Sequence, residues 1–117
     1  WRVAFCGAEP VRAPTLERFA AAFADCGFRR DAFYPCYGLA EATLFVSGGR
    51  PDAGPVVRDF RPDALERDRA VVASGDDAAT SLVGCGFPWR EGRVEIVSGL
   101  AAKSPAVMIF EGSTICR

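Results

Sequence analysis

Apolar positions along the first part of the chain follow two rhythms. Val3-Ala4-Phe5-Cys6 is a short continuous apolar run closed by Gly7 and Pro10, the pattern of a strand buried on both faces. Leu16, Phe19, Ala20, Phe23 and Ala24 then recur at helical spacing behind Thr15, which reads as the N-cap. Gly27 falls where a helix ends in a left-handed residue, with Phe28 free to pack back on the last turn. Ala32-Phe33-Tyr34 makes a second short apolar run, stopped by Pro35 and the turn at Gly38. Strand, helix and strand in that order predict a right-handed βαβ crossover in a parallel sheet, hence an α/β fold. Leu39, Thr43 and Val46 share one side of a further helix predicted from Leu39 to Val46, ended by Ser47-Gly48-Gly49.

The rhythm loosens beyond that point. Gly48, Gly49, Pro51, Gly54 and Pro55 mark a loop, followed by a short strand at Val56-Val57. Phe60 and Leu65 flank Pro62 at the spacing of a hydrophobic staple, which predicts a brief helix over Pro62 to Arg67. Ala70 to Ala73 reads as a strand, Ser74 to Ala79 as a polar turn, and Arg93 to Val97 as another strand. From Ser98 onward the residues are small, with one apolar run at Val107 to Phe110.

Composition narrows the chemistry. The 117 residues carry 14 basic and 15 acidic side chains, a balance with no long-range field for nucleic acid or an anionic membrane. No apolar stretch approaches the roughly 20 residues of a membrane-spanning helix. Histidine is absent, so Ser-His-Asp and Cys-His catalysis have no place within this sequence. Cys6, Cys26, Cys36, Cys85 and Cys116 show no metal-ligand spacing, which points to reduced thiols and a cytoplasmic setting. Trp1 leads straight into a strand, so the chain is expected to be part of a longer protein.

Two loops hold the candidate site. Ligands of open parallel sheets lie beyond the carboxyl ends of the strands, where Gly7-Ala8-Glu9-Pro10 and Tyr37-Gly38-Leu39-Ala40-Glu41 follow the two predicted strands. Gly7 lets a flat ligand approach the backbone, and Tyr37 offers an aromatic face with Gly38 allowing a close turn after it. Glu41, near the start of the next predicted helix, supplies a carboxylate for an oxygen-seeking cation such as Mg²⁺.

Taken together, Gly7-Ala8-Glu9-Pro10-Val11 and Phe33-Tyr34-Pro35-Cys36-Tyr37-Gly38-Leu39-Ala40-Glu41-Ala42-Thr43-Leu44 closely resemble the fatty acyl-AMP ligases. These are a branch of the adenylate-forming superfamily of acyl-CoA synthetases, luciferases and nonribosomal peptide adenylation domains. The resemblance covers about residues 1 to 97. It implies an enzyme that joins a fatty acid to AMP from ATP and releases pyrophosphate. The acyl group then passes to an acyl carrier protein or polyketide synthase.

The resemblance also implies roles for single residues. Adenine lies between the Gly7-Ala8-Glu9 backbone and Tyr37, Gly38, Leu39 and Ala40 line the nucleotide site, and Glu41 binds Mg²⁺. Ala40 stands where most of the superfamily has threonine, as is usual in the fatty acyl-AMP ligase branch. Cys6 and Cys36 are candidates for the acyl pocket, although a buried structural thiol is the preferred reading of Cys6.

By the same resemblance, residues 1–48 are a βαβ segment of the large N-terminal domain and 49–80 the insertion that marks this branch. Residues 81–97 start a small β-rich subdomain, and 98–117 are unmatched. The family's phosphate loop, ribose-binding aspartate and catalytic lysine have no counterpart among these 117 residues, so the chain alone is expected not to catalyse. Two other readings stay open: a non-catalytic remnant or small nucleotide-binding module, and part of an acyl-CoA synthetase.

Overall fold

The computed structural model describes residues 1–42, 44–75, 78–94, 107–110 and 113–116. The chain opens with β1 (Ala4–Cys6), crosses over through α1 (Ala13–Ala22), and returns as β2 (Phe33–Leu39). β1 and β2 are parallel, with Ala4 opposite Phe33, Phe5 opposite Tyr34 and Cys6 opposite Pro35, which is the predicted βαβ unit.

Helix α1 starts earlier than its apolar period. Pro14 occupies the first turn, where its fixed φ suits a helix and its missing N–H costs nothing, so Arg12 takes the N-cap position and Thr15 lies inside. Leu16 is buried and forms a core with Phe33 and Val83, against which Ala4, Cys6, Phe19 and Phe28 pack. The helix closes through a single 3₁₀ turn, Ala24–Cys26, and Gly27 takes the left-handed conformation expected of it (φ 77°). The Phe28 amide then donates to the Phe23 carbonyl at 3.1 Å, and the Phe28 ring meets Phe19 and Phe33 edge-on.

The predicted helix over Leu39 to Val46 does not form. A 3₁₀ turn, Ala40–Ala42, reverses the chain, and β3 (Leu44–Gly48) runs back antiparallel to β2; Thr43 lies outside the described residues. The reason is pairing. β1 ends opposite Pro35, and β2 runs on through Cys36, Tyr37, Gly38 and Leu39, whose backbone groups find partners in β3. Cys36 pairs with Gly48, Tyr37 with Ser47, Gly38 with Phe45 and Leu39 with Leu44; the shift between the second and third pairs leaves Val46 as an extra, bulged residue. The Val46 carbonyl accepts from the Trp89 amide at 2.9 Å.

β4 (Val57–Phe60), the helical turn α2 (Pro62–Leu65), β5 (Thr80–Val83), β6 (Phe87–Pro88), β7 (Val107–Phe110) and β8 (Ser113–Cys116) complete the described elements. β6 joins the edge of β3, giving a mixed sheet in the order β1-β2-β3-β6. One face of this sheet is covered by α1. The other carries a row of aromatic rings, from Phe5 to Tyr34 (5.0 Å between centroids), Tyr34 to Phe45 (6.5 Å) and Phe45 to Trp89 (5.3 Å). Phe5 is therefore not buried on both sides as its apolar neighbourhood predicts; its outer face is open.

β4 and β5 form a separate antiparallel pair, Phe60 opposite Thr80 and Val57 opposite Val83. The staple expected around Pro62 is present, with Phe60 and Leu65 both buried and Leu82 packed on them. The strand expected at Ala70 to Ala73 reduces to one bridge, Val72 to Phe60, with two flanking backbone hydrogen bonds. β7 pairs antiparallel with β8. Of the strand expected at Arg93 to Val97, Arg93 and Val94 are irregular, and Glu95 to Val97 lie outside the described residues, as do Asp76 and Asp77 in the turn expected over Ser74 to Ala79.

Candidate functional site

The site is made where β1 stops and β2 does not. Past Cys6 the chain leaves the sheet as Gly7-Ala8-Glu9-Pro10, with Ala8 held in the left-handed region (φ 68°). Alongside it β2 continues as Cys36-Tyr37-Gly38-Leu39. A Cβ on Gly7 would fall 2.8 Å from the Cys36 carbonyl oxygen and 2.9 Å from its Sγ, so only glycine lets the loop lie this close to β2. The Cys36 thiol donates to the Cys6 carbonyl at 3.6 Å, tying the two segments together at the same point.

Gly7, Ala8 and Glu9 are exposed, Tyr37 and Leu39 half-buried, and Gly38, Ala40 and Glu41 exposed. The residues singled out from the sequence thus gather at one end of the β1–β2 pair, but their local structure differs from expectation. Tyr37, Gly38 and Leu39 belong to a strand rather than a loop. Gly38 is needed for the hairpin itself, because a Cβ there would fall 1.7 Å from the Leu44 carbonyl oxygen. Glu41 sits on a 3₁₀ turn of three residues, so no helix dipole acts on its carboxylate.

Ser47 escaped the sequence reading. It stands opposite Tyr37 in β3, is fully buried, and its Oγ has no hydrogen-bond partner among the described residues. A buried hydroxyl without a partner forfeits its hydration for nothing. Ser47→Ala is therefore expected to raise stability by about 1 kcal/mol, read as a higher urea midpoint; a lower midpoint would mean that the hydroxyl is satisfied after all. Gly48, read from the sequence as part of a loop, lies in β3. A Cβ on Gly86 would fall 1.9 Å from the Gly48 backbone, so the segment from Gly84 to Gly86 packs directly on β3.

Three thiols approach one another behind the site. Burial pushes the Cys6 and Cys36 thiols above their ordinary range, and the neighbouring Cys85 pushes them further in the same direction. A raised thiol pKa leaves little thiolate at neutral pH and hence a slow nucleophile. Cys26 is exposed by contrast. Alkylation at pH 8 is expected to label Cys26 well before Cys6, Cys36 or Cys85, read by peptide mass mapping; early labelling of Cys36 would contradict its burial. Among the described residues no three His, Cys, Asp or Glu side chains are placed to hold a metal ion together. No helix among them is long and apolar enough to cross a membrane.

Comparison with known proteins fits this geometry. No protein-family model matches the chain. The adenylation domain of a keto acid-selecting nonribosomal peptide synthetase module superposes with a TM-score of 0.60 over 74% of this chain and 17% of that one. At 22% identity that likeness speaks for the fold alone, which is the fold of the adenylate-forming enzymes. A fatty acyl-adenylate ligase from L. pneumophila, solved in complex with acyl adenylate and pyrophosphate, is 45% identical with a TM-score of 0.70. That match covers 75% of this chain and 16% of the other. The medium-chain-fatty-acid–[acyl-carrier-protein] ligase JamA of Moorena producens is 46% identical over 101 residues, 84% of this chain and 17% of the relative. The chain belongs to the fatty acyl-AMP ligases. It spans 13 to 17% of the length of two curated relatives that it matches, JamA among them.

Proposed function

We propose that this chain forms the adenine and metal corner of a fatty acyl-AMP ligase. The whole enzyme would activate a fatty acid with ATP, release pyrophosphate, and pass the acyl group to an acyl carrier protein or polyketide synthase. The observation that carries this reading is the contact of Gly7 with Cys36, which sets the exposed Gly7-Ala8-Glu9 backbone beside the strand bearing Tyr37. Adenine stacks on the Tyr37 ring with its edge on the Gly7-Ala8-Glu9 backbone, and Gly38 and Leu39 continue the wall. Ala40 offers no hydroxyl to the α-phosphate, so contacts to that phosphate come from backbone amides or from elsewhere in the enzyme.

The donor set around Glu41 fits Mg²⁺ rather than a caged metal. It is one exposed carboxylate, and Mg²⁺ at phosphate sites typically takes one or two carboxylates and fills its remaining positions with water and phosphate oxygens. Glu41, at the turn that follows the adenine platform, would hold a Mg²⁺ that offsets charge on the phosphates. Of the two candidate acyl-pocket thiols, Cys36 borders Gly7 and is assigned to the acyl side. Cys6 packs against the core of Leu16, Phe33 and Val83. Residues 49–80 serve as the family-specific insertion, supported by their own small core of Phe60 and Leu65. We also propose a cytoplasmic setting, where ATP for this reaction is at hand.

The test is calorimetric titration of the chain with a non-hydrolysable acyl-adenylate analogue and with the matching free fatty acid. Base–aromatic stacking contributes roughly 1–3 kcal/mol, so Tyr37→Ala is expected to weaken analogue binding at least about tenfold and to leave fatty acid binding unchanged. Equal binding by the wild-type chain and Tyr37→Ala would remove Tyr37 from the adenine site.

A further inference from the structure

We propose that Val46 is a positioning residue for adenine: its bulge, fastened by the Trp89 amide, sets how β2 presents the Tyr37 ring. This role rests on the assignment of adenine to Tyr37. Register locates the bulge. Cys36 stands opposite Gly48 and Tyr37 opposite Ser47, yet Gly38 stands opposite Phe45, so β3 holds one residue more than β2 between these pairs. Side-chain direction agrees. In a regular strand residues three apart point to opposite faces, but a Cβ on Gly48 would fall 2.5 Å from Phe45 Cζ and 2.6 Å from Tyr34 Cε1. Gly48 and Phe45 therefore share the face that carries Tyr34, which the extra residue between them allows.

A bulge bends its strand, increases the local twist and re-aims a side chain beside a site. Three contacts keep this one in place. Val46 has no partner residue in β2, and its carbonyl accepts instead from the Trp89 amide at 2.9 Å. Toward the hairpin tip the Leu44 carbonyl lies against Gly38, where a Cβ would fall 1.7 Å from its oxygen. On the other side Ser47 is fully buried opposite Tyr37. The bend thus falls between Tyr37 and Gly38, one residue past Cys36, which Gly7 meets.

Deleting Val46 is the test, because it removes the extra residue while leaving Tyr37 opposite Ser47 and Gly38 opposite Phe45. Calorimetric titration of the 117-residue chain with a non-hydrolysable acyl-adenylate analogue is run as a two-by-two cycle with Tyr37→Ala. The deletion is expected to weaken binding at least about tenfold when Tyr37 is present and less than about twofold when it is absent. A second pair acts on the fastening and leaves the length of β3 alone. Trp89→Pro removes the N–H and Trp89→Ala keeps it, while both lose the indole that meets Phe45. The proline variant is expected to bind at least about fivefold more weakly than the alanine variant. Where the deletion variant fails to fold by circular dichroism, this pair decides. Three results would overturn the proposal: unchanged binding after the deletion; equal losses with and without Tyr37, which would make the bulge a general support of the hairpin; or equal binding by the two Trp89 variants. Failure of the adenine assignment has its own signature. The unmodified chain then does not bind the analogue, or Tyr37→Ala binds it equally well, and the role of Val46 falls with it.

Discussion

Purified 117-residue chain supplied with ATP, Mg²⁺ and a medium-chain fatty acid is expected to show no ATP–pyrophosphate exchange above background. Adenylation joins two anions and passes through an in-line displacement at phosphorus, so its rate comes from holding the carboxylate against the α-phosphate and from neutralising charge as it develops. The proposed site would supply a platform for the base and one exposed carboxylate for a cation. It has no cationic side chain beside the Glu41 turn in the sequence: from Asp31 to Gly49 there is no lysine or arginine. A positioned cation or oxyanion donor is worth about 3–4 kcal/mol of barrier, and this reaction needs several. Binding of an acyl-adenylate analogue without exchange is thus the expected pair of results. Exchange above background from this polypeptide would show that the groups gathered here suffice, and would end that account of the chemistry.

The second large effect concerns stability. Gly86→Ala is expected to cost about 4 kcal/mol, enough to consume much of the 5–15 kcal/mol that holds a typical domain together. Two causes add. Gly86 has φ 75°, where an L-residue with a Cβ is strained, and the new methyl would stand 1.9 Å from the carbonyl carbon and oxygen of Gly48 and 2.3 Å from the amide of Gly49. Those are backbone atoms in and beside the β3 pairing with β2, so nothing can swing aside without breaking the hairpin that carries Tyr37. Gly27→Ala is the control. Its φ is 77°, but a Cβ there meets nothing within 4 Å, so the cost is the conformational part alone, about 1 kcal/mol. Urea unfolding of both variants separates the effects; equal losses would remove the steric contact from the explanation.

Much of the β1–α1–β2 unit was legible because its signals are local. A period of 3.6 marks Leu16, Phe19 and Ala20 as the buried side of a helix, and Gly27 with Phe28 marks its end. The Phe60–Leu65 staple was legible for the same reason, since both partners lie within one turn of Pro62. The run from Leu39 to Val46 was misread because a few residues satisfy either period. Leu39, Thr43 and Val46 suit a helix, whereas Leu44-Phe45-Val46 is a short continuous apolar run that a strand takes equally well. What decided the matter was the length of β1, which ends at Cys6 and leaves the last part of β2 without a parallel partner.

The sequence by itself determined the family and the crossover and nominated the residues of the candidate site, since motif identity and short-range periodicity depend on neighbours along the chain. Only the tertiary structure decided that Tyr37 lies in a strand, that Gly38 and Gly86 are demanded by backbone contacts, and that Ser47 is buried behind Tyr37 with its hydroxyl unpaired among the described residues. Those facts join segments far apart in the chain: Gly7 to Cys36, and Gly48 to Gly86. Such contacts exist only once loop closure has been offset by pairing and burial, and no local pattern records them.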